Sequence, residues 1–232
     1  MADKVQNRVL IVEPSGNLWG SELVLLDLLT VTPNPRWKIA VCCPPDTPIL
    51  ERLANVPVQV YPSYSANLHL KNRLARLNCL SALIRVALLF KPDMIYVNQA
   101  GATRIALWAG KFLRIPVVSH VRLVEDVHYI SSLRASSTTL KRIISVSKYV
   151  AAMFREFPGI SHERLTVLYD PYTPHCDWNN NSNHSPDTAN PVICCVGRLA
   201  YTKGQDVFIR ALAELRHDGI NAGGTILGTA GS

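Results

Sequence analysis

The chain has 232 residues, of which 48% are hydrophobic and 18% charged, and its formal net charge is +7. This composition is typical of a packed globular protein and excludes an intrinsically disordered chain. The length and the alternating apolar runs also exclude a disulfide-stabilised miniprotein and a fibrous repeat. The length is sufficient for one large domain or two smaller ones.

Short apolar strands alternate with helical patterns along most of the chain. The predicted strands are Arg8–Glu13, Trp37–Cys43, Val56–Tyr61, Asp93–Asn98, Pro116–Val121, Arg142–Ser147 and Leu165–Leu168. The predicted helices between them are Gly20–Leu29, Thr47–Ala54, Leu68–Phe90, Thr103–Leu113 and Lys148–Phe157. This alternation predicts right-handed crossovers and a parallel sheet. Residues 1–172 are therefore predicted to form one Rossmann-like domain of the α/β class.

The composition changes in residues 173–190, which are rich in asparagine and proline and have no apolar periodicity. This segment is predicted to be an exposed linker. The alternation then restarts with three elements, Val192–Val196, Lys203–His217 and Thr225–Leu227. A strand–helix–strand unit needs neighbouring strands to bury its faces, and an independent domain of this type has on the order of 100–150 residues. Residues 191–232 are thus predicted to be the truncated start of a second, incomplete Rossmann-like domain.

The cysteines and the apolar segments indicate in which cellular compartment the protein is located. The six cysteines are Cys42, Cys43, Cys79, Cys176, Cys194 and Cys195. No pair has the Cys-x-x-Cys spacing of a metal site, and both doublets end β-branched runs, so we interpret them as small, reduced core residues. The apolar stretch near the N-terminus is too short for a secretory signal, and the longest one is interrupted by Arg85. These features predict a cytoplasmic protein without a membrane span.

The segment that follows the first strand of the second domain has the residue types of a phosphate site. Gly197 ends a predicted buried strand, at the edge where open parallel sheets bind ligands. Arg198 and Lys203 supply two positive charges across a turn. Thr202 and Gln205 have capping-box spacing, which predicts a helix that begins near Lys203 and directs its N–H groups to the same place. Two cations and a helix N-terminus predict a diphosphate site; the alternative is that both are ordinary solvated loop charges.

The first domain offers further candidate residues at the ends of its strands. Gly16 and Gly20 bracket the turn from the first strand to the first helix, where a ligand that approaches the backbone closely would need glycine. The pattern is not Gly-x-Gly-x-x-Gly, which disfavours a dinucleotide, and the alternative is a plain turn. His120 ends the fifth strand and is either a ligand contact or a structural hydrogen-bond partner. Glu125 and Asp126 follow in a predicted loop, where contact with an acceptor is a weaker hypothesis.

Most of the positive charge lies in one segment. No acidic residue occurs between Glu51 and Asp93, whereas six arginines and lysines do: Arg52, Lys71, Arg73, Arg76, Arg85 and Lys91. Within the predicted helix of residues 68–90, one face carries Leu70, Leu74, Leu77, Ile84 and Leu88, and a neighbouring face carries His69, Arg73 and Arg76. A basic amphipathic helix of this kind can lie on anionic lipid, and the alternative is a core helix with a solvated basic side. Nucleic acid is disfavoured, because aromatic residues are not interleaved with the charge.

Five segments together resemble family-4 glycosyltransferases, which have the two-Rossmann-domain GT-B architecture. They are Gly16–Glu22, Val118–His120, Ile144–Ser147, Leu165–Pro171 and Val196–Gly204, of which the last is the most specific. In place of the family's usual glycine pair in the first segment, this chain has Trp19 followed by Gly20. The resemblance covers essentially the whole chain and implies an N-terminal domain followed by the start of a donor-binding domain.

The resemblance implies retaining transfer of a sugar from a nucleotide-sugar donor to a carbohydrate or lipid-linked acceptor in envelope polysaccharide or glycolipid synthesis. Gly197, Arg198 and Lys203 would hold the donor diphosphate, and His120 would act beside the donor sugar as the catalytic residue. No metal and no cofactor are implied, and the chain has no Asp-x-Asp motif. A cytoplasmic location is expected, with peripheral contact at the inner face of the membrane through the 68–90 helix. The alternatives are a truncated, non-catalytic fragment that binds acceptor or membrane, and a flavodoxin-like module unrelated to sugars.

Overall fold

The computed structural model describes residues 7–31, 36–63, 73–133, 138–157, 160–171 and 191–229. The chain divides into two compact units, residues 1–173 and 174–232. The predicted linker of residues 173–190 lies outside the described residues.

The described part of the first unit is built on a parallel sheet of seven strands in the order β3-β2-β1-β4-β5-β6-β7. The strands are β1 (Asn7–Val12), β2 (Trp37–Cys43), β3 (Gln59–Pro62), β4 (Met94–Val97), β5 (Val117–Val121), β6 (Leu140–Ser145) and β7 (Leu165–Val167). The strand order reverses between β1 and β4, where Val12 is in register with Val97. Open α/β sheets bind ligands at such a switch point, outside the carboxyl ends of the strands.

Helices connect the strands and cover both faces of this sheet. They are α1 (Gly20–Val31), α2 (Pro48–Leu53), α3 (Arg73–Phe90), α4 (Thr103–Leu113), α5 (Val124–Ser132) and α6 (Lys148–Met153). Alternate residues of β1 point to opposite faces, so Ile11 packs among residues of α1 and α2, and Leu10 among residues of α3 and α4. The central strands are apolar at consecutive positions because both faces are covered.

The predicted strands and helices of the first unit are found, with three differences. Glu125 and Asp126 lie in the first turn of α5 and not in a loop, because Val127 and Ile130 pack into the core on a helical period. The helix predicted to extend to Phe157 ends as α6 at Met153 and continues as a short 3-10 turn. The third strand begins at Gln59, three residues later than predicted.

The buried face of α3 is not the leucine face described in the sequence analysis. The buried face of α3 carries Cys79, Leu83, Val86, Ala87 and Phe90, which recur at a helical spacing. The leucines that the sequence analysis grouped together lie largely outside that face, and three of them are more than half exposed: Leu74, Leu77 and Leu88. Positions 64–72, with Leu70 and His69, lie outside the described residues. The described helix thus presents apolar and basic side chains to solvent.

The described part of the second unit consists of two parallel strands, β8 (Val192–Val196) and β9 (Gly223–Leu227), and helix α7 (Gln205–His217) between them. The expectation that β8 is buried is wrong for the described residues, since Val192 and Val196 are 67% and 77% exposed. Cys194 is exposed as well, whereas Cys42 and Cys43 of the first unit are buried as predicted. In this part of the chain β8 pairs with β9 alone and α7 packs against β9, and most residues of β8 are exposed.

None of the helices in the described segments has the length and apolar character needed to cross a bilayer.

Candidate functional site

The turn from β8 to α7 brings the two predicted cations to the carboxyl end of the strand. Arg198 directly follows Gly197, and a 3-10 turn over residues 201–203 returns the chain to the same end. A Cβ on Gly197 would lie 3.8 Å from Cγ of Lys203, so the alkyl stem of Lys203 passes over Gly197. Arg198 is half-buried and Lys203 is exposed. Both cationic residues therefore belong to one tight turn.

The helix begins two residues later than the capping box predicted. Gly204 adopts a left-handed conformation with φ 70° as the N-cap, and no side chain caps the helix. The Gln205 side chain instead donates from Nε2 to the main-chain oxygen of Arg198 at 2.9 Å. Glycine is favoured at 204 because a Cβ is strained at positive φ. The hydrogen bond ties the start of α7 to the residue that carries the guanidinium.

Main-chain contacts brace this turn from the neighbouring strand. The N–H of Gly197 donates to Leu227 O at 2.9 Å, and the N–H of Leu199 donates to Thr229 O at 3.0 Å. Gly228 lies so close to the carbonyl of Gly197 that a Cβ there would collide with it. The loop after β8 is thus held against the loop after β9.

The N-terminal end of α7 has the polarity that favours an anion. The first N–H groups of a helix have no intrahelical acceptor and carry a partial positive charge. Asp206 is the acidic residue in this first turn, and its Oδ2 pairs with the Arg210 guanidinium at 2.7 Å. Its negative charge is therefore compensated along the side of the helix.

At the switch point of the first unit, two buried carboxyl groups form a hydrogen-bond network. Glu13 follows β1 and accepts from Asn98 Nδ2 at 2.6 Å, from Ser15 N at 2.8 Å and from Gln99 Nε2 at 2.9 Å. Glu22, on α1, accepts from the same Gln99 nitrogen at 2.7 Å and from the Ser15 hydroxyl. Burial raises the pKa of Glu13 to about 7, and the Glu22 charge acts in the same direction. The network fixes the loop between β1 and α1.

His120 is buried near the end of β5. Its Nδ1 lies 2.7 Å from the Tyr96 hydroxyl, and its Nε2 has no hydrogen-bond partner among the described residues. Burial, and then the neighbouring Arg122 charge, lower the pKa of His120 to about 4. The imidazole is therefore neutral at physiological pH.

Arg122 links the hydrogen-bond network at the switch point to Asp170. Its Nε and NH2 atoms each lie 3.3 Å from an oxygen of Asp170, which follows β7. Its NH1 donates to the main-chain oxygen of Asn98. The guanidinium thus joins the ends of β4, β5 and β7.

The two glycines of the β1–α1 loop differ in their surroundings. Gly16 has φ 71°, and a Cβ there would lie 2.6 Å from Cγ2 of Thr47. Glycine is required at 16 by the protein's own packing. A Cβ on Gly20, the first residue of α1, would meet no atom within 4 Å. Backbone approach to a ligand stays a prediction at both positions.

Comparison with known proteins identifies the family. The sequence profile of Glycosyltransferase Family 4 matches residues 20–174, which is more than half of the chain. The chain belongs to Glycosyltransferase Family 4. No curated protein matches it in sequence.

Solved structures confirm the α/β fold of the GT-B type for this family-4 chain. The structure of Alr3699/HepE from Anabaena with UDP and glucose has a TM-score of 0.67 at 20% identity, over 96% of this chain and 61% of that one. HepE has also been solved with UDP-glucose. A glycosyltransferase from Rickettsia africae has a TM-score of 0.68 at 16% identity, over 96% of this chain and 60% of that one. The lipopolysaccharide outer core galactosyltransferase WaaB has a TM-score of 0.63 at 15% identity, over 96% of this chain and 68% of that one.

The chain therefore spans about 61% of the length of HepE.

Sequence reasoning missed the buried polar cluster of the family-4 chain. Glu13 and Asn98 were assigned only as the last residues of strands, and Arg122 and Asp170 received no role. Their signal was their position: each ends a predicted strand, or lies close behind one, at the carboxyl edge of the sheet. The roles of Gly197, Arg198, Lys203 and His120 in ligand binding stay predictions.

Proposed function

We propose that this protein transfers a sugar from a nucleoside diphosphate sugar to an acceptor hydroxyl, and that the β8–α7 turn binds the donor diphosphate. The observation that carries the proposal is the packing of the Lys203 stem over Gly197, beside Arg198 and ahead of the N-terminus of α7. Membership of a glycosyltransferase family and the UDP-bound forms of HepE support it.

The chemistry of the turn suits a departing nucleoside diphosphate. Arg198 offers a planar guanidinium that can bind two phosphate oxygens at once, and Lys203 offers a mobile point charge. The helix N-terminus adds aligned N–H groups. Such groups stabilise negative charge as it develops on the leaving group. As part of the proposal, the reaction retains the anomeric configuration and needs no metal ion.

Within the same proposal, His120 acts on the donor sugar. A neutral, buried imidazole whose Nε2 has no partner in the described structure can form a hydrogen bond with a hydroxyl group. Tyr96 holds the opposite nitrogen and so orients the ring. The acceptor is proposed to be a carbohydrate or lipid-linked molecule of the cell envelope.

Isothermal titration calorimetry with UDP tests the donor site. We expect UDP to bind the chain with one site, and uridine to give no detectable heat, because the diphosphate supplies the charge that the turn recognises. UMP should bind more weakly than UDP. Absence of binding by UDP, ADP, GDP and dTDP alike would overturn the proposal and leave the non-catalytic alternative.

A second candidate property is attachment to an anionic membrane, on the observation that α3 and α4 expose apolar and basic side chains together. α3 exposes Arg73, Leu77, Arg85 and Leu88, and it packs against α4, on which Phe112 is 73% exposed. Apolar side chains with neighbouring cations favour an anionic lipid surface, where each cation contributes about 1 kcal/mol.

Sedimentation with phosphatidylserine-containing vesicles measures this attachment. We expect the chain to pellet with these vesicles at low salt, less at high salt, and not with phosphatidylcholine alone. Leu77→Ser/Leu88→Ser should reduce pelleting, whereas Leu23→Ser, an exposed leucine of α1 on the opposite face of the sheet, should not. Equal pelleting of the double variant and the native chain would contradict a role for α3.

A further inference from the structure

Glu13 and Glu22 are a pair of carboxyl groups without exposed surface. One nitrogen, Gln99 Nε2, lies within 2.9 Å of an oxygen of Glu13 and within 2.7 Å of an oxygen of Glu22. The same nitrogen lies 3.2 Å from the Ser15 hydroxyl, so three acceptors compete for two amide hydrogens. The two carboxyl oxygens are thus drawn to one shared donor.

No described basic side chain forms an ion pair with either carboxyl group. Besides Glu22 on α1, the titratable groups that act electrostatically with Glu13 are Cys43 on β2 and Tyr96 on β4. The nearby cation after β5 is Arg122, which contacts the main-chain oxygen of Asn98. Arg122 is engaged by Asp170 and by the main-chain oxygen of Asn98. Cys43 and Tyr96 are neutral near pH 7, since burial raises the pKa of both. Two negative charges at this depth would therefore be held by hydrogen bonds alone, with no paired positive side chain among the described residues.

We infer that Glu13 holds a proton in its hydrogen-bond network with Glu22, and that this proton closes the β1–α1 loop over the switch point of the sheet. The Ser15 hydroxyl lies between the two carboxyl groups and donates to Glu22. A proton on Glu13 can be donated to the Ser15 oxygen, which completes a chain of hydrogen bonds from Glu13 through Ser15 to Glu22.

This proton makes Glu13 a positioning residue for the loop. Ser15 N bonds to Glu13, and Trp19 N bonds to Glu22 at 3.2 Å, so both ends of the loop are held by the pair. When the proton is lost to solvent, two buried carboxylates repel each other across Ser15 and Gln99. The loop then loosens at the edge where open sheets bind ligands. This inference does not rest on the donor site of the second unit.

The sign of the pH dependence follows from the raised pKa of Glu13. The folded chain holds a proton with a pKa of about 7, against the ordinary value of 4.5. The contribution of this proton to the free energy of unfolding is complete below about pH 4.5, and it is lost as the pH rises through 7. This loss raises the unfolding equilibrium constant about a hundredfold or more. His120, whose pKa is lowered to about 4, acts in the opposite direction, with stability lost as the pH falls below 6.5.

The test is the urea unfolding midpoint of the first-unit transition between about pH 5 and pH 8, in the native chain and in Glu13→Gln. Glutamine keeps the size of a protonated glutamate and cannot ionise. Both proteins contain His120, so its contribution to the pH dependence cancels when their midpoints are compared. We expect the urea midpoint of the native chain to fall relative to that of Glu13→Gln as the pH rises. Glu51→Gln, which removes an exposed carboxylate of α2, should follow the native profile. Parallel profiles for the native chain and Glu13→Gln would overturn the inference.

Hydrogen exchange of the native chain provides a second readout that needs no variant. After correction for the intrinsic rate, the amides of residues 15–19 should lose protection between about pH 6 and pH 8, while β2 amides keep theirs. Unchanged protection of residues 15–19 would overturn the inference even if Glu13→Gln failed to fold.

Discussion

Replacing both Arg198 and Lys203 by alanine is expected to abolish UDP binding. A hydrogen bond to a charged group contributes about 1.5–3 kcal/mol, so each single variant should lose about ten- to a hundredfold in affinity. The double variant should fall below detection by calorimetry. The turn itself should persist, because the main-chain oxygen of Arg198 still accepts from Gln205 and the N–H of Gly197 still donates to Leu227.

Two further variants separate charge from packing in that experiment. Lys203→Met keeps an alkyl stem over Gly197 and removes only the ammonium, so it should bind UDP as weakly as Lys203→Ala. Arg216→Ala removes an exposed cation from the last turn of α7 and should bind like the native chain. Full affinity in the double variant would exclude the turn as the diphosphate site.

Replacing His120 by alanine is expected to lower the turnover of a UDP-sugar about a hundredfold, with little change in UDP affinity. Loss of one preorganised hydrogen bond to the reacting region typically costs 10²–10³ in turnover. UDP release from a panel of UDP-sugars measures the effect. Because burial lowers the pKa of His120 to about 4, the ring is neutral from about pH 5 to pH 8. His120 should therefore contribute no titration step to turnover near pH 6.5. The pH profiles of the native chain and of His120→Ala should have the same shape in this range.

His128→Ala is the matched control for this experiment, since it removes an exposed imidazole from α5 of the same unit. Tyr96→Phe removes the partner of Nδ1 and should give a smaller loss than His120→Ala. The first-unit unfolding transition shows whether each variant still folds. Unchanged turnover in a folded His120→Ala would contradict a catalytic role for His120.

The fold was predictable from the sequence because its signals are local. A strand buried on both faces is apolar at consecutive positions, as in Val9–Val12, and a helical period marks each crossover. α5 was missed because its apolar residues Val124, Val127 and Ile130 cover only about two turns. The position of the leucine face of α3 was left open because leucine spacing alone does not say which of two apolar stripes meets the sheet. That choice is made by the packing of Leu83 and Phe90 in the core.

The candidate site was predictable only where its residues lie close together in the sequence. Gly197, Arg198 and Lys203 occur within one turn, so their spacing already suggests a common ligand. Glu13 and Asn98 are 85 positions apart, and only the sheet order brings them together. The capping box at Thr202 and Gln205 failed because Gly204 takes a left-handed conformation, which lets the chain turn before the helix begins.

The position of the diphosphate in crystals of this chain grown with UDP tests the central claim most directly. We predict phosphate oxygens within hydrogen-bond distance of the Arg198 guanidinium and the Lys203 ammonium, facing the first N–H groups of α7. Density for UDP that avoids this turn, with both cations directed elsewhere, would contradict the assignment of the donor site.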